Sequence, residues 1–415
     1  MGTSTLSADW HPGVNVSAPA KQWMNFSEYL ELCRASNMRP LVGVNYNCHN
    51  GKACPFNAGT ANASVARAER QVRFALSKGF PGAFWYIGNE DSASMHSALI
   101  LRHAVAMKKI DPTMKVFWND NNLGPNQLKK FLKETGGVMD GAEFHGKWFV
   151  WLLLMLPLRC SFPVPDSMST CRPYGGMPKG LPPFSYEQWL HEVPLLEHKR
   201  EQSWRAKIAG LRAAAKEAGR PELLLANNEY GLGKAAAFDG SWNRFAKSMV
   251  VVELGLEMYV SGYDIACFWD NGDGGDTGVV SGAWGAGEHM LLSTHAGYRM
   301  NPMHLGLELL ATSQNRSMLK VNTSADRVYG FATVPVAGQG GGGLEVLLIN
   351  KFEQAQKVRL ALPTALTRGA TLQLTKMSSM VNSSDGWGEL RGDAVCCAGG
   401  SCEFKLPPVS FSKLS

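Results

Sequence analysis

The sequence predicts an α/β chain, a (β/α)8 TIM barrel followed by an antiparallel β-sandwich domain. Three observations carry this. Strand-like and helix-like runs alternate from Asn25 to Thr312, the pattern of a parallel sheet whose crossovers are helices. Polar residues fall at or just after each strand end: Asn45 and Asn47, Asn89 and Glu90, Asn119 and Asp120, His145, Asn228 and Glu229, Asp270 and Asn271. A barrel builds its site from the ends of many strands, whereas an open doubly wound sheet uses one crevice. Beyond Ser313 helical spacing gives way to short, partly alternating β-prone runs separated by turns such as Gly340–Gly343.

Taken in order, Met1 to Trp23 is rich in Ser, Gly, Pro and Ala with no period, and reads as loop. Phe26, Tyr29, Leu30 and Cys33 recur at helical spacing and predict a helix over 25–37. Pro40–Tyr46 is a buried strand, followed by a helix over 63–76 and the strand Phe84–Glu90. A helix over 94–109, the strand Lys115–Asn121, a helix over 127–133 and the strand Gly141–Trp148 come next. A mostly helical stretch over 186–218 leads into Leu223–Glu229, and a helix over 242–259 into Asp264–Asp270. Apolar positions over 303–310 form a last helix. Arg327–Val334, Leu344–Asn350, Lys357–Leu362 and Ala370–Thr375 are the sandwich strands. The expected domains are therefore a barrel over 1–312 and a β-sandwich over 313–415.

Two features sit badly with a complete barrel. The sequence displays six β/α units, and a six-strand arc leaves open edges where a closed barrel has eight strands. The first two units are accordingly expected to be absent from this chain. The second feature is an insertion over 149–172. Its apolar run Phe149–Leu158 is too short to span a bilayer and stands where a polar loop belongs. Joining Trp148 to Pro173 gives His-Gly-Lys-Trp-Pro-Tyr-Gly-Gly, a plausible site loop. An unspliced segment is one reading, a lid or membrane-touching loop the other.

With 415 residues, 45% of them hydrophobic and 18% charged, the chain can bury one large core and a smaller one. The net charge of +6 is spread thinly, with no basic run interleaved with aromatics, so nucleic acid is not an expected partner. Nine cysteines without paired C-x-x-C spacing argue against structural zinc. Local disulfides remain open to Cys48 with Cys54, and to Cys402 with Cys396 or Cys397. Sequons at Asn15, Asn25, Asn62, Asn315, Asn322 and Asn382 lean toward a secreted or vacuolar glycoprotein. Met1 to Ala20 has no apolar core of a signal peptide.

The chemistry lies in two strands with the same ending, Phe84-Trp85-Tyr86-Ile87-Gly88-Asn89-Glu90 and Leu223-Leu224-Leu225-Ala226-Asn227-Asn228-Glu229. Retaining glycoside hydrolysis needs one carboxylic acid to protonate the leaving oxygen and one carboxylate to attack the anomeric carbon, about 5–5.5 Å apart. With two units upstream, Glu90 ends the fourth strand and Glu229 the seventh, across the barrel mouth. Glu90 is then the acid/base, its pKa raised by apolar neighbours and nearby negative charge, and Glu229 the nucleophile. Asn89 is placed to bind a sugar 2-hydroxyl, and Trp269 offers an apolar face to a ring. Asn45, His145, Trp148 and Asn228 are further substrate-binding candidates. Glu143 is a competing carboxylate whose place before Phe144 points it into the barrel, while Tyr230 and Trp118 read as packing.

Trp85-Tyr86-Ile87-Gly88-Asn89-Glu90 and Asn227-Asn228-Glu229-Tyr230-Gly231 resemble the acid/base and nucleophile strands of clan A retaining glycoside hydrolases. Tyr86–Glu90 is most similar to family 51 α-L-arabinofuranosidases and the heparanase-like family 79. Asn301-Pro-Met-His-Leu-Gly-Leu-Glu-Leu-Leu310 resembles the final helix of families 39, 44 and 51, which precedes their β-sandwich. The resemblance implies a glycosidase cleaving a polysaccharide or oligosaccharide by double displacement, with no cofactor and no metal. The alternative is a truncated, inactive carbohydrate-binding relative. A metal-dependent barrel hydrolase is disfavoured by the absence of clustered His and Asp at strand ends.

Overall fold

A computed structural model describes residues 2–4, 26–44, 58–88, 96–120, 123–144, 190, 204–230, 244–268, 292–293, 299–300, 303–311, 313, 316–319, 321–325, 327–336, 343–362, 371–380, 387–390, 394–396 and 401–415. These residues fall into two compact units. The first holds strands β1 (Gly2–Ser4), β2 (Leu41–Val44), β3 (Phe84–Ile87), β4 (Lys115–Asn119), β5 (Gly141–Glu143), β6 (Leu224–Tyr230) and β7 (Ile265–Phe268). Its helices are α1 (Phe26–Ala35), α2 (Ala58–Ser77), α3 (Ser97–Ile110), α4 (Pro125–Thr135) and α5 (Trp204–Glu217).

The seven strands form one sheet in chain order, every neighbouring pair parallel. This is a TIM-barrel-type succession of β/α units, as the alternation in sequence predicts. The reading of residues 1–23 as loop is overturned at Gly2–Ser4, which pairs with Leu41–Gly43. Gly-Thr-Ser carries no apolar run, so only its backbone pairing reveals the strand. It lies beside β2, at the edge where the sequence reading expects two absent units.

Period-two alternation sorts the sheet into two faces. One meets the helices: Trp85 lies edge-on to Phe26 of α1, ring centroids 6.3 Å apart, and Trp118 stacks on Phe131 of α4 at 4.0 Å. Both Trp side chains are fully buried, and aromatics of this size supply a large share of the apolar area a core removes from water. The other, concave face gathers Leu41, Tyr86, Phe117, Ala226 and Cys267 into one cluster. Small residues make room there. A Cβ on Gly43 would stand 2.6 Å from the Tyr86 ring, and one on Gly141 would collide with Phe117.

The amino-terminal rim is stapled by three aspartates. Asp111 accepts from Gly82 N–H at 2.8 Å and from Thr113 N–H at 3.0 Å. Asp140 accepts from Val116 N–H at 2.8 Å and from Lys108 Nζ at 2.6 Å. Asp264 accepts from Leu225 N–H at 2.7 Å and from Arg212 at 2.5 Å. Parallel strand ends leave N–H groups without a ladder partner, and these carboxylates satisfy them.

The second unit holds α6 (Arg244–Ser261), α7 (Met303–Ala311) and the remaining strands. An antiparallel sheet runs β10 (Arg316–Leu319), β11 (Val328–Pro335), β12 (Glu345–Asn350), β18 (Ser410–Leu414), β14 (Thr371–Met380), β15 (Trp387–Leu390), with β16 (Ala394–Cys396) also on β14. A separate pair joins β13 (Gln356–Ala361) to β17 (Ser401–Leu406), and a short one joins β8 (Leu292–Ser293) to β9 (Arg299–Met300). Val328, Ala332, Val346, Leu348 and Leu414 of the large sheet share a core with Val358, Leu360, Phe404 and Leu406 of the β13–β17 pair. Cys402 in that core is disulfide-bonded. Glu253 of α6 and Lys351, the residue after β12, form an ion pair of 3.0 Å with both side chains at most 1% exposed. Losing one partner of such a pair strands a buried charge, at a cost of about 3–5 kcal/mol.

Candidate active site

In a parallel barrel-type sheet the carboxyl ends of the strands carry the chemistry. The described carboxyl ends of β4, β5 and β6 bring together Asn119, Asp120, Glu143 and Asn227, all at most 1% exposed. Register sets two of them side by side: Asn119 pairs with Glu143, and Glu143 with Ala226. Asn119 Nδ2 donates to Glu143 Oε2. Phe117 precedes Asn119 by two residues and belongs to the concave cluster, so this amide–carboxylate pair also faces the concave side. That is where the sequence reading points Glu143.

Asp120 N–H donates to the Glu143 carbonyl at 3.0 Å, and Phe144 N–H to the Ala226 carbonyl at 3.1 Å, closing the ends of the strands. Lys207 from the first turn of α5 stands 4.5 Å over the Phe144 ring, and Phe144 lies 5.4 Å from Tyr263. Burial pushes the Lys207 ammonium down to about 8, against the opposing pull of the Asp120 carboxylate. Burial, with the negative charge of Glu143 adding to it, raises the Tyr263 hydroxyl well above its ordinary value. The Cys267 thiol is raised by burial first and by Glu143 as well. The carboxylate on β5 is thus felt as far as β7.

Two local features shape the strands that end in the paired motifs. β3 is Phe84–Ile87, and the last two residues of the expected strand, Asn89 and Glu90, lie outside the described residues. Gly88 adopts φ 87°, a left-handed conformation that suits glycine and takes the chain out of the ladder. β6 runs on through Asn228 and Glu229 to Tyr230, but its pairing with β7 is irregular. Asn227 lies opposite Ala266, and Tyr230 opposite Phe268. Three steps on β6 match two on β7, so one extra residue is inserted at Asn228–Glu229. Such a β-bulge is rare between parallel strands, and bulges concentrate beside active sites, where they re-aim side chains.

Of the expected site residues, Asn228 and Glu229 lie in β6, where their backbone is described. Glu90, Asn89, Asn45, His145, Trp148 and Trp269 lie outside the described residues, as do the expected insertion at 149–172 and the strand-end residues Asn47, Asp270 and Asn271. Trp118 is a packing residue, fully buried against Phe131. The sequence reading misses Lys207. Its signal, a lysine on the first turn of a helix, is indistinguishable from a solvated one until the fold sets it over Phe144.

No protein-family model matches the sequence, and no curated protein matches it. Solved structures do match in fold. One is CelM2, a bifunctional glucanase-xylanase from a metagenome library, with a TM-score of 0.56 at 12% identity, over 94% of this chain and 84% of that one. Another is a Paenibacillus polymyxa xyloglucanase of glycoside hydrolase family 44, with a TM-score of 0.54 at 12% identity over 94% and 82%. A third is the family 39 enzyme from Xanthomonas axonopodis pv. citri, with a TM-score of 0.52 at 12% identity over 94% and 82%. The chain therefore has the fold of these glycoside hydrolases.

Proposed function

We propose that this protein is a retaining glycoside hydrolase acting on a polysaccharide or oligosaccharide, with Glu229 as nucleophile and Glu90 as acid/base. The observation that carries the proposal is the bulge in β6. Without it Glu229, two residues after Asn227, would pair with Phe268. With it Tyr230 takes that pairing, and Asn228 and Glu229 together stand opposite Cys267, a member of the concave cluster. A shift of one residue exchanges the two faces of a strand, so the bulge supports a role for Glu229 at the barrel mouth.

The fold supports the same reading, since glycoside hydrolases of families 44 and 39 share it. Glu90 follows β3 and Glu229 ends β6, three strands apart in the sheet. In this reading Asn89, Asn45, His145, Trp148, Asn228 and Trp269 bind sugar, and family 51 or 79 remains the expected source of the Tyr86–Glu90 motif. The barrel is assigned to 1–312, and the two antiparallel sheets of 313–415, which share one core, are read as a β-sandwich. The six sequons fit a secreted or vacuolar glycoprotein in this reading.

The test is hydrolysis of a panel of aryl glycosides together with glucan, xylan and xyloglucan, the first polymers to try because fold relatives are a glucanase-xylanase and a xyloglucanase. Turnover with net retention of anomeric configuration, lost in Glu229→Ala and in Glu90→Ala, is the expected result. Inverted product overturns the mechanism. Sugar binding without turnover identifies the inactive, carbohydrate-binding alternative.

A further inference from the structure

Glu143 has no part in the two-carboxylate mechanism, yet it is a fully buried acid on the face where that mechanism would operate. It sits level with Asn119 and Ala226. Asn119 Nδ2 donates to its Oε2, which fixes the group. Burial raises the Tyr263 hydroxyl and the Cys267 thiol, and Glu143 adds to both. A carboxylate in such a place costs several kcal/mol of desolvation, and replacing it by an apolar residue is the simpler way to fill a core.

We propose that Glu143 is an electrostatic positioning residue of the glycosidase site, a fixed carboxylate whose field favours the positive charge that develops on the sugar ring. The proposal rests on the glycosidase reading above. By register Glu143 lies level with Ala226, three residues before Glu229 on the adjacent strand, a backbone separation of about 8–11 Å at ordinary strand spacing and rise across the bulge. Charges act through a protein interior at that range far more strongly than through water. Because Glu143 is already oriented by Asn119 and shut off from solvent, its field needs no reorganisation when charge develops. It touches no sugar in this role. Its effect is on charge, so it distinguishes ligands by charge.

Two probes separate this role from a structural one: a protonated iminosugar and a neutral sugar lactone, bound to the full-length chain. Glu143→Gln, which keeps the shape, is expected to weaken the iminosugar about tenfold or more and the lactone less than about twofold. Equal losses for both probes mean a structural role and overturn the proposal, as does no loss for either. If Glu143→Gln does not fold, the double variant Glu143→Met/Asn119→Leu removes both polar partners at once and carries the same comparison. A second readout needs no ligand: the pH at which the Cys267 S–H infrared band disappears, assigned with Cys267→Ser, falls in Glu143→Gln. A band that does not move overturns the field of Glu143. A wild-type chain that binds neither probe while the Cys267 band still shifts identifies the glycosidase reading as the part that failed.

Discussion

At the amino-terminal rim of the parallel sheet, Asp111, Asp140 and Asp264 turn their carboxylates back onto backbone N–H groups and nearby cations. At the carboxyl end, Glu143 is shut off from water against an amide, with a lysine pushed down to about 8 nearby. Burial alone would raise Asp111, but hydrogen bonds from the Thr113 hydroxyl and from the Gly82 and Thr113 N–H groups hold it below the ordinary carboxylate value. Around Glu143, burial raises Tyr263 and Cys267, and the Glu143 carboxylate adds to both. One rim uses acids to close the backbone. The other keeps charge in an apolar setting, the condition under which a site tunes acids and bases.

The largest expected effect lies at the carboxyl end. Glu229→Ala lowers kcat by roughly 10³-fold or more, the scale on which removal of a nucleophile acts, with a denaturation midpoint close to wild type. A drop in stability comparable to the drop in rate would make Glu229 an ordinary strand residue. At the opposite rim Asp140→Ala removes the acceptor of Val116 N–H and the partner of Lys108. It is expected to cost about 1.5–3 kcal/mol in chemical denaturation and to leave kcat of the folded protein unchanged. A selective loss of kcat there would erase the division between the rims.

Two pH effects sharpen the comparison further. His103 of α3 is fully buried beside Ser64 of α2, Oγ to Nε2 2.9 Å, and burial lowers its pKa from 6.5. The unfolded chain therefore takes up a proton at higher pH than the folded one. Stability is complete above about 6.5 and declines as pH falls from there toward the folded value. Denaturation midpoints from pH 7.5 to 5 are expected to fall, and to fall less in His103→Gln. Lys207 gives an effect of the same sense in a higher pH window. Its folded value of about 8 lies below the unfolded 10.5, so the unfolded chain holds the extra proton between them and stability rises with pH across that window. Lys207→Met flattens the rise.

The alternation of strands and helices, and the change to antiparallel pairing after Ser313, are legible in sequence because each buries one face and so imposes a period of two or 3.6 residues. The strand Gly2–Ser4 is illegible because it pairs through backbone alone and carries no apolar pattern. Boundaries overshoot for a related reason. Phe84 to Glu90 is one apolar, polar-tipped run, of which the described strand covers Phe84–Ile87, with Gly88 after it at φ 87°. At the site, the Asn-Glu endings are visible as residue types. The bulge that sets the register of Glu229 is not, since nothing in Asn227-Asn228-Glu229-Tyr230 marks which residue is extra. The pairing of Asn119 with Glu143 joins residues 24 apart through register, which a single sequence does not record.

The most direct measurement is covalent trapping. Incubation with a 2-deoxy-2-fluoro glycoside bearing a good leaving group, followed by peptide mass spectrometry, is expected to find one sugar on the peptide that contains Glu229 and none in Glu229→Gln. A sugar on another carboxylate, or turnover that proceeds with inversion and leaves no adduct, would contradict Glu229 as the nucleophile.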